Sequence, residues 1–140
     1  MGLVAALRSW LAKRAGPSAA QLAAKLEQGI ALFEQGRFDA AEALWRDVLA
    51  AAPGHAEARH LLGLIYLQRG QNMAALQEIN AAIALAPREP QFHFNLGNAL
   101  AALGEPDAAA DAFGQAVRLR PEHARSWFNL GKARMDGRDW

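Results

Sequence analysis

Small, bulky and helix-breaking residues return along this chain in a fixed order. Gly29, Gly63, Gly97 and Gly131 share one spacing, and so do Gly36, Gly70 and Gly104. Ala41, Ala75 and Ala109 repeat it, as do Trp45, Ile79 and Phe113. Pro53, Pro87 and Pro121 fix its length (87 − 53 = 34 and 121 − 87 = 34). Five position classes in phase mark an internal repeat. Each class has a physical task. Glycine inside a helical stretch, as in Leu62-Gly63 and Leu96-Gly97, costs about 1 kcal/mol against alanine. Its recurrence predicts a neighbouring helix in close approach. The second glycine, as in Gln68-Arg69-Gly70, falls where a first helix must stop and turn. The alanines predict a helix crossing with no room for a larger side chain, and Trp45, Ile79 and Phe113 supply the bulk beside it. The prolines end a second helix and force the residue before them into an extended shape. Each unit therefore predicts a helix, a tight turn, a helix and a proline stop.

Ahead of the repeats, Leu3, Val4, Leu7, Trp10 and Leu11 share one face of a predicted helix, with Arg8, Lys13 and Arg14 off that face. Gly16-Pro17 ends this helix, and Ser18-Ala19-Ala20-Gln21 is a capping box that starts the first repeat helix. Residues 1–20 hold those three basic side chains and no acid. The segment is expected to pack on the open end of the first unit, because a stack of repeats needs covered ends. A helix for a membrane surface or a partner is the alternative.

After Ala124 only a first helix remains before the sequence stops at Trp140. Gly137 comes one residue early for its class. Lys132, Arg134, Asp136 and Arg138 suit a polar capping helix. A close on tryptophan reads instead as a fragment of a longer protein, and that is the expectation. The uncovered last helix also offers a surface for a homodimer.

Composition narrows the class. Thr and Cys are absent and Ala, Leu, Gln, Glu and Arg dominate, which is material for an all-α fold. Without Cys there is no disulfide frame and no thiolate metal site. Fifteen Lys+Arg against 14 Asp+Glu leave a charge of +1, without the basic excess of a nucleic-acid binder. No apolar run reaches the ~20 residues of a membrane span. The start is a poor secretory signal, and Ala6 stands where a myristoylation motif wants Ser or Thr. The expectation is a cytoplasmic, bacterial protein with no nucleic-acid or membrane partner. His55, His60, His93 and His123 lack metal-ligand spacing and are expected on the solvated surface, except His93, which is expected to pack. Ser9, Ser18 and Ser126 have no nucleophile context. No catalytic residue, metal or cofactor is expected.

The 34-residue period with its small, bulky and proline positions resembles the tetratricopeptide repeat family. The resemblance covers residues 22–55, 56–89, 90–123 and, in part, 124–140. The second unit carries nearly the whole pattern in Leu62-Gly63, Tyr66, Gly70, Ala75, Ile79, Ala82 and Pro87. The fourth opens with Trp127, Leu130 and Gly131, while the first has Gln28 where the pattern wants Leu. The resemblance implies a right-handed α-solenoid of stacked antiparallel helix pairs. It would hold about three and a half repeats over residues 18–140, behind an extra N-terminal helix and linker at 1–17.

It also implies a concave groove lined by the first helices, and so a non-enzymatic scaffold that binds a peptide or helix of a partner protein. The groove positions are His60 and Leu64, then Phe94, Asn95 and Asn98, then Phe128, Asn129 and Lys132. Asn95 and Asn129 are one period apart and are expected to stack as a ladder whose amides donate and accept together. This is similar to the asparagine ladder of O-linked N-acetylglucosamine transferases. Phe94 and Phe128 are expected to add apolar contacts. In the first two units the groove is apolar and lacks the Lys and Asn of a carboxylate clamp, so it suits an amphipathic helix such as residues 3–14. Two further readings are the recognition domain of a larger bacterial, glycosyltransferase-like transferase, and a membrane-associated assembly factor acting through residues 1–14.

Overall fold

A computed structural model describes residues 2–138. Among them there are eight helices and no strand: α1 (Leu3–Arg14), α2 (Ala19–Glu34), α3 (Phe38–Ala51), α4 (Ala56–Gln68), α5 (Asn72–Leu85), α6 (Pro90–Ala102), α7 (Pro106–Leu119) and α8 (Ala124–Asp136). They fall into two compact units, Met1–Pro53 with α1 to α3 and Gly54–Trp140 with α4 to α8.

The repeat is built by its end signals. Gly36, Gly70 and Gly104 follow α2, α4 and α6 with φ of +75°, +71° and +76°, the left-handed region that favours glycine. Around Gly70 the turn closes with Gly70 N–H donating to the Leu67 carbonyl (3.1 Å) and Gln71 N–H to the Tyr66 carbonyl (2.8 Å). These bonds satisfy carbonyls that the helix end leaves open. The same pair of bonds recurs at Gly36-Arg37 and Gly104-Glu105. Ala52, Ala86 and Arg120, each before a proline, are extended at φ near −140° (−138°, −143° and −139°). Ser18 and Gln21 form the reciprocal cap at the start of α2.

Packing explains the glycines inside helices. A Cβ on Gly63 would lie 2.6 Å from Ile79 Cγ1, and one on Gly97 would lie 2.5 Å from Phe113 Cε1. On Gly29 it would fall inside the Trp45 indole. Each hairpin thus seats a bulky side chain of its second helix in a glycine notch of its first. Ala41, Ala75 and Ala109 are fully buried beside these contacts. Burying a side chain the size of Ile79 or Phe113 contributes about 1.5–3 kcal/mol. In the second unit the hairpins are joined by the next first helix: Leu96 packs with Ala75 and Ile79, and Leu130 with Phe113, Ala116 and Val117. Gln28, at the corresponding place in α2, is exposed.

Helix α1 does not pack as the expected cap. None of its residues is buried, and Leu3, Val4, Leu7, Trp10 and Leu11 are all at least half exposed. Within the helix Arg14 stacks 4.4 Å over the Trp10 ring. Trp140, on which the fragment reading leaned, lies outside the described residues.

Candidate functional site

Within the second unit, the first helices α4, α6 and α8 bring polar side chains together in one line. His60 is 3% exposed and stacks on Phe92 with ring centroids 4.6 Å apart. Asn95, also buried, donates from Nδ2 to His60 Nε2 (2.7 Å). Asn98 Nδ2 donates to Asn95 Oδ1 (3.4 Å), and Asn129 Nδ2 donates to Asn98 Oδ1 (3.2 Å). Since His60 Nε2 accepts, its proton resides on Nδ1. Nδ1 has no hydrogen-bond partner among the described residues and points towards Glu57 Oε1 at 3.6 Å. His60 holds the Glu57 carboxyl below its ordinary value of 4.5, through the side-chain contact first, against the opposing effect of burial.

The line ends at a cavity of about 320 Å³ between α6, α7 and α8, whose lining includes Asn98, Asn129, Lys132 and Asp136. Asn98 and Asn129 are half-buried, and Lys132 is exposed. The bonds above use one N–H of each amide and one acceptor site of Asn98. Both side chains therefore keep hydrogen-bonding capacity for something in the cavity.

The structure separates the groove residues expected from sequence into two sets. Asn98, Asn129 and Lys132 stand at the cavity, and Leu64 is half-buried on α4. Phe94, Asn95 and His60 do not face solvent. Phe94 is 4% exposed and packs with Phe113 (5.8 Å), His123 (edge-on, 5.2 Å) and the Arg125 guanidinium (5.6 Å). Its position is used to stack one first helix on the next. Phe128 holds the same position in α8, where nothing follows among the described residues, and is 72% exposed. Asn95 and Asn129 do not stack directly as rungs, because Asn98 stands between them.

The histidines also differ from the solvated-surface expectation. His60 is buried. His55 caps α4, its Nδ1 accepting from the Ala58 N–H at 3.3 Å. His123 shares a 2.6 Å hydrogen bond with Ser126, whose hydroxyl is buried and out of reach as a nucleophile. His93 donates from Nε2 to the Pro87 carbonyl (2.8 Å), and Trp127, one period on, donates to the Pro121 carbonyl (2.7 Å). Among the described residues no group of three or more acids and histidines is placed to hold a metal ion. No described helix is long and apolar enough to cross a membrane.

The His60–Asn95 pair escaped the sequence reading. The signal for it was present: a polar residue near the middle of one first helix, met by another polar residue 35 positions later. The contribution of Asp136 to the cavity had no such signal.

The sequence matches the tetratricopeptide repeat family over residues 26–90, 60–113 and 94–140. No curated protein matches it. Among solved structures it is similar to an O-GlcNAc transferase mutant of Thermobaculum terrenum, at 35% identity and a TM-score of 0.79, over 82% of this chain and 22% of that one. It is similar to the first repeat domain of Spaghetti (RPAP3) bound to the HSP90 peptide SRMEEVD, at 20% identity and a TM-score of 0.80, over 84% and 94% of the two chains. A third is the Yersinia enterocolitica type III secretion chaperone SycD with a peptide of the translocator YopD, at 16% identity and a TM-score of 0.77, over 86% and 98%. The chain spans about a fifth of the transferase chain.

Proposed function

This chain belongs to the tetratricopeptide repeat family, and on that premise we propose that it is a non-catalytic scaffold that binds an extended segment of a partner protein. The binding surface is the inner side of α6 and α8, with Asn98, Asn129 and Lys132 as contact residues and Leu64 of α4 as an apolar neighbour. The observation that carries this reading is the pair of half-buried amides with unused hydrogen-bonding capacity at a cavity of about 320 Å³. Amides of this kind bond main-chain N–H and C=O groups without reading side chains. Lys132 and Asp136 add opposite charges that orient what they meet. Asn95 and His60 position Asn98 from behind, Phe94 is a buried stacking residue, and the exposed Phe128 stays available as an apolar contact. The solved neighbours with bound peptides, from HSP90 and from YopD, support the class of ligand.

Selection of a random peptide library on the chain and on its Asn98→Ala/Asn129→Ala variant tests this. Peptides enriched on the first are expected to be lost on the second, with helicity unchanged. Equal enrichment on both would place binding elsewhere.

A second reading, that the chain is the recognition arm of a larger transferase, is supported by the 35% identity to the Thermobaculum terrenum enzyme. The nucleotide sequence downstream of the codon for Trp140 tests it: an open frame encoding a transferase domain supports it, and a stop codon removes it.

A further inference from the structure

Among the described residues the hairpin interface of this fold is seen three times with both helices and once, at α8, with the first helix alone. Gly29, Gly63 and Gly97 each meet the bulky side chain of a second helix, whereas a Cβ on Gly131 would have nothing within 4 Å among the described residues. Around that open notch Trp127 and Met135 are 51% and 61% exposed. With Lys132 and Asp136 they border a cavity of about 400 Å³. The face of α8 is thus the continuation of an interface whose occupant is shown elsewhere in the same molecule. That occupant is a helix carrying an alanine and, four residues later, a bulky side chain: Ala41 and Trp45, Ala75 and Ile79, Ala109 and Phe113.

Two other described helices pair an alanine with an exposed bulky side chain four residues later, α1 and α8 itself (Ala124 and Phe128), and of these only α1 has no buried residue on any face. In α1, Ala6 and Trp10 have the same spacing, with Leu3 and Leu7 on the neighbouring positions, and no residue of α1 is buried. Gly16-Pro17 follows α1 much as Pro53 follows α3. The next first helix, α2, has Gln28 where Leu96 and Leu130 grip the second helix before them, so it lacks the side chain that would hold α1 down. The last turn of α1 departs from the pattern, with Lys13 and Arg14 where α3, α5 and α7 are apolar. In a hairpin the late part of the second helix lies by the first turns of the first helix, as the Lys25–Asp47 pair (3.4 Å) shows. There α8 offers a cation the half-exposed Trp127 ring, and the exposed Glu122 precedes the helix by two residues.

We propose that α1 of one copy of this chain seats on α8 of another, with Trp10 entering the Gly131 notch. The two half-hairpins of separate molecules then make one whole hairpin. The contact is heterologous, because different surfaces of the two copies meet, so it closes into a ring or grows as a chain.

Sedimentation equilibrium of the 140-residue chain, from micromolar to millimolar concentration, is the measurement. The native chain is expected to self-associate. Trp10→Ala is expected to weaken association by about thirtyfold or more, as truncation of a central aromatic anchor does. Gly131→Leu is expected to abolish it, with a melting temperature no lower than native, since the added side chain meets open space in the single molecule. Each variant retains one intact half, so an equimolar mixture is expected to form a one-to-one dimer at concentrations where neither variant associates alone. A native chain that stays monomeric throughout overturns the proposal, as does unchanged association of Gly131→Leu or failure of the mixture to dimerise. Co-sedimentation of a monomeric native chain with phosphatidylglycerol vesicles, lost in Trp10→Ala, would overturn it in favour of a membrane-surface helix.

Discussion

Helices α6 and α8 carry the same four residues, Phe94-Asn95-Leu96-Gly97 and Phe128-Asn129-Leu130-Gly131, and the two copies live in different surroundings. Phe94 is in the core and Phe128 is 72% exposed. Asn95 is buried against His60, and Asn129 stands at the rim of a cavity. Gly97 is filled by Phe113, and Gly131 faces open space. Only the leucine has a comparable role in both, because it points back to the preceding hairpin, which both helices have. The other three point towards elements that follow α6 and that do not follow α8 among the described residues. The lesson is that position in a repeat sets a side chain's direction, and its neighbours set its environment.

The strongest way to test this contrast is to empty the filled notch. Phe113→Ala should cost about 3–5 kcal/mol, as loss of a buried aromatic does. Urea unfolding reads it, and a loss below 1 kcal/mol would mean that the Gly97 contact is not a true core contact. Crowding the notch comes next. Gly97→Ala should destabilise by about 1–3 kcal/mol because its Cβ meets the Phe113 ring. Asn95→Ala should also cost about 1–3 kcal/mol, since it strands a buried His60 nitrogen, while Asn98→Ala, which removes the long 3.4 Å bond to Asn95 Oδ1 and the 3.2 Å bond from Asn129 at the half-buried rim, costs less, about 0.5–1 kcal/mol. A joint Asn95/Asn129 substitution is therefore a poor probe of ligand binding, because it alters the fold as well. Gly131→Ala should do the reverse of Gly97→Ala and raise stability by up to about 1 kcal/mol at monomeric concentrations, through helix propensity alone. If both alanines shift the unfolding midpoint in the same direction, the two sites are not the filled and empty forms of one notch.

The smallest expected effect concerns pH. Glu57 has a lowered folded pKa, so its contribution is present above the ordinary value of 4.5 and is lost as the pH falls through the folded value. Glu57→Gln should flatten the acid limb of the stability curve below that value and leave neutral pH nearly unchanged.

The repeat was legible in sequence because its signals act over short distances. The turn glycines, the prolines and the notch–knob pairs are each settled within one hairpin, and all appear where the spacing puts them. Exposure at residues 60, 94 and 95 was not legible. Register alone turns them towards the inner side of the first helices, and it is the stacking of the following helix that covers them. The fate of α1 was hidden for a related reason: an amphipathic helix shows that it needs a partner without saying which. His93 was readable in part, since its place in the pattern belongs to a tryptophan. Its bond to the Pro87 carbonyl shows the imidazole N–H doing for that turn what the indole N–H of Trp127 does for the next.

Every bond in the side-chain line from Asn129 to His60 is donated in the same direction, so the line has a head and a tail, as a water wire does. Its closed end is fixed by a ring nitrogen that must receive. Its open end is left holding the oxygen and the second N–H of Asn129, so a guest arriving at the rim meets a receiver and a giver side by side. A main-chain peptide group, which has one of each, suits that welcome. Any event that made the imidazole give rather than receive would oblige each amide in turn to rotate, changing what the rim presents more than one helix away.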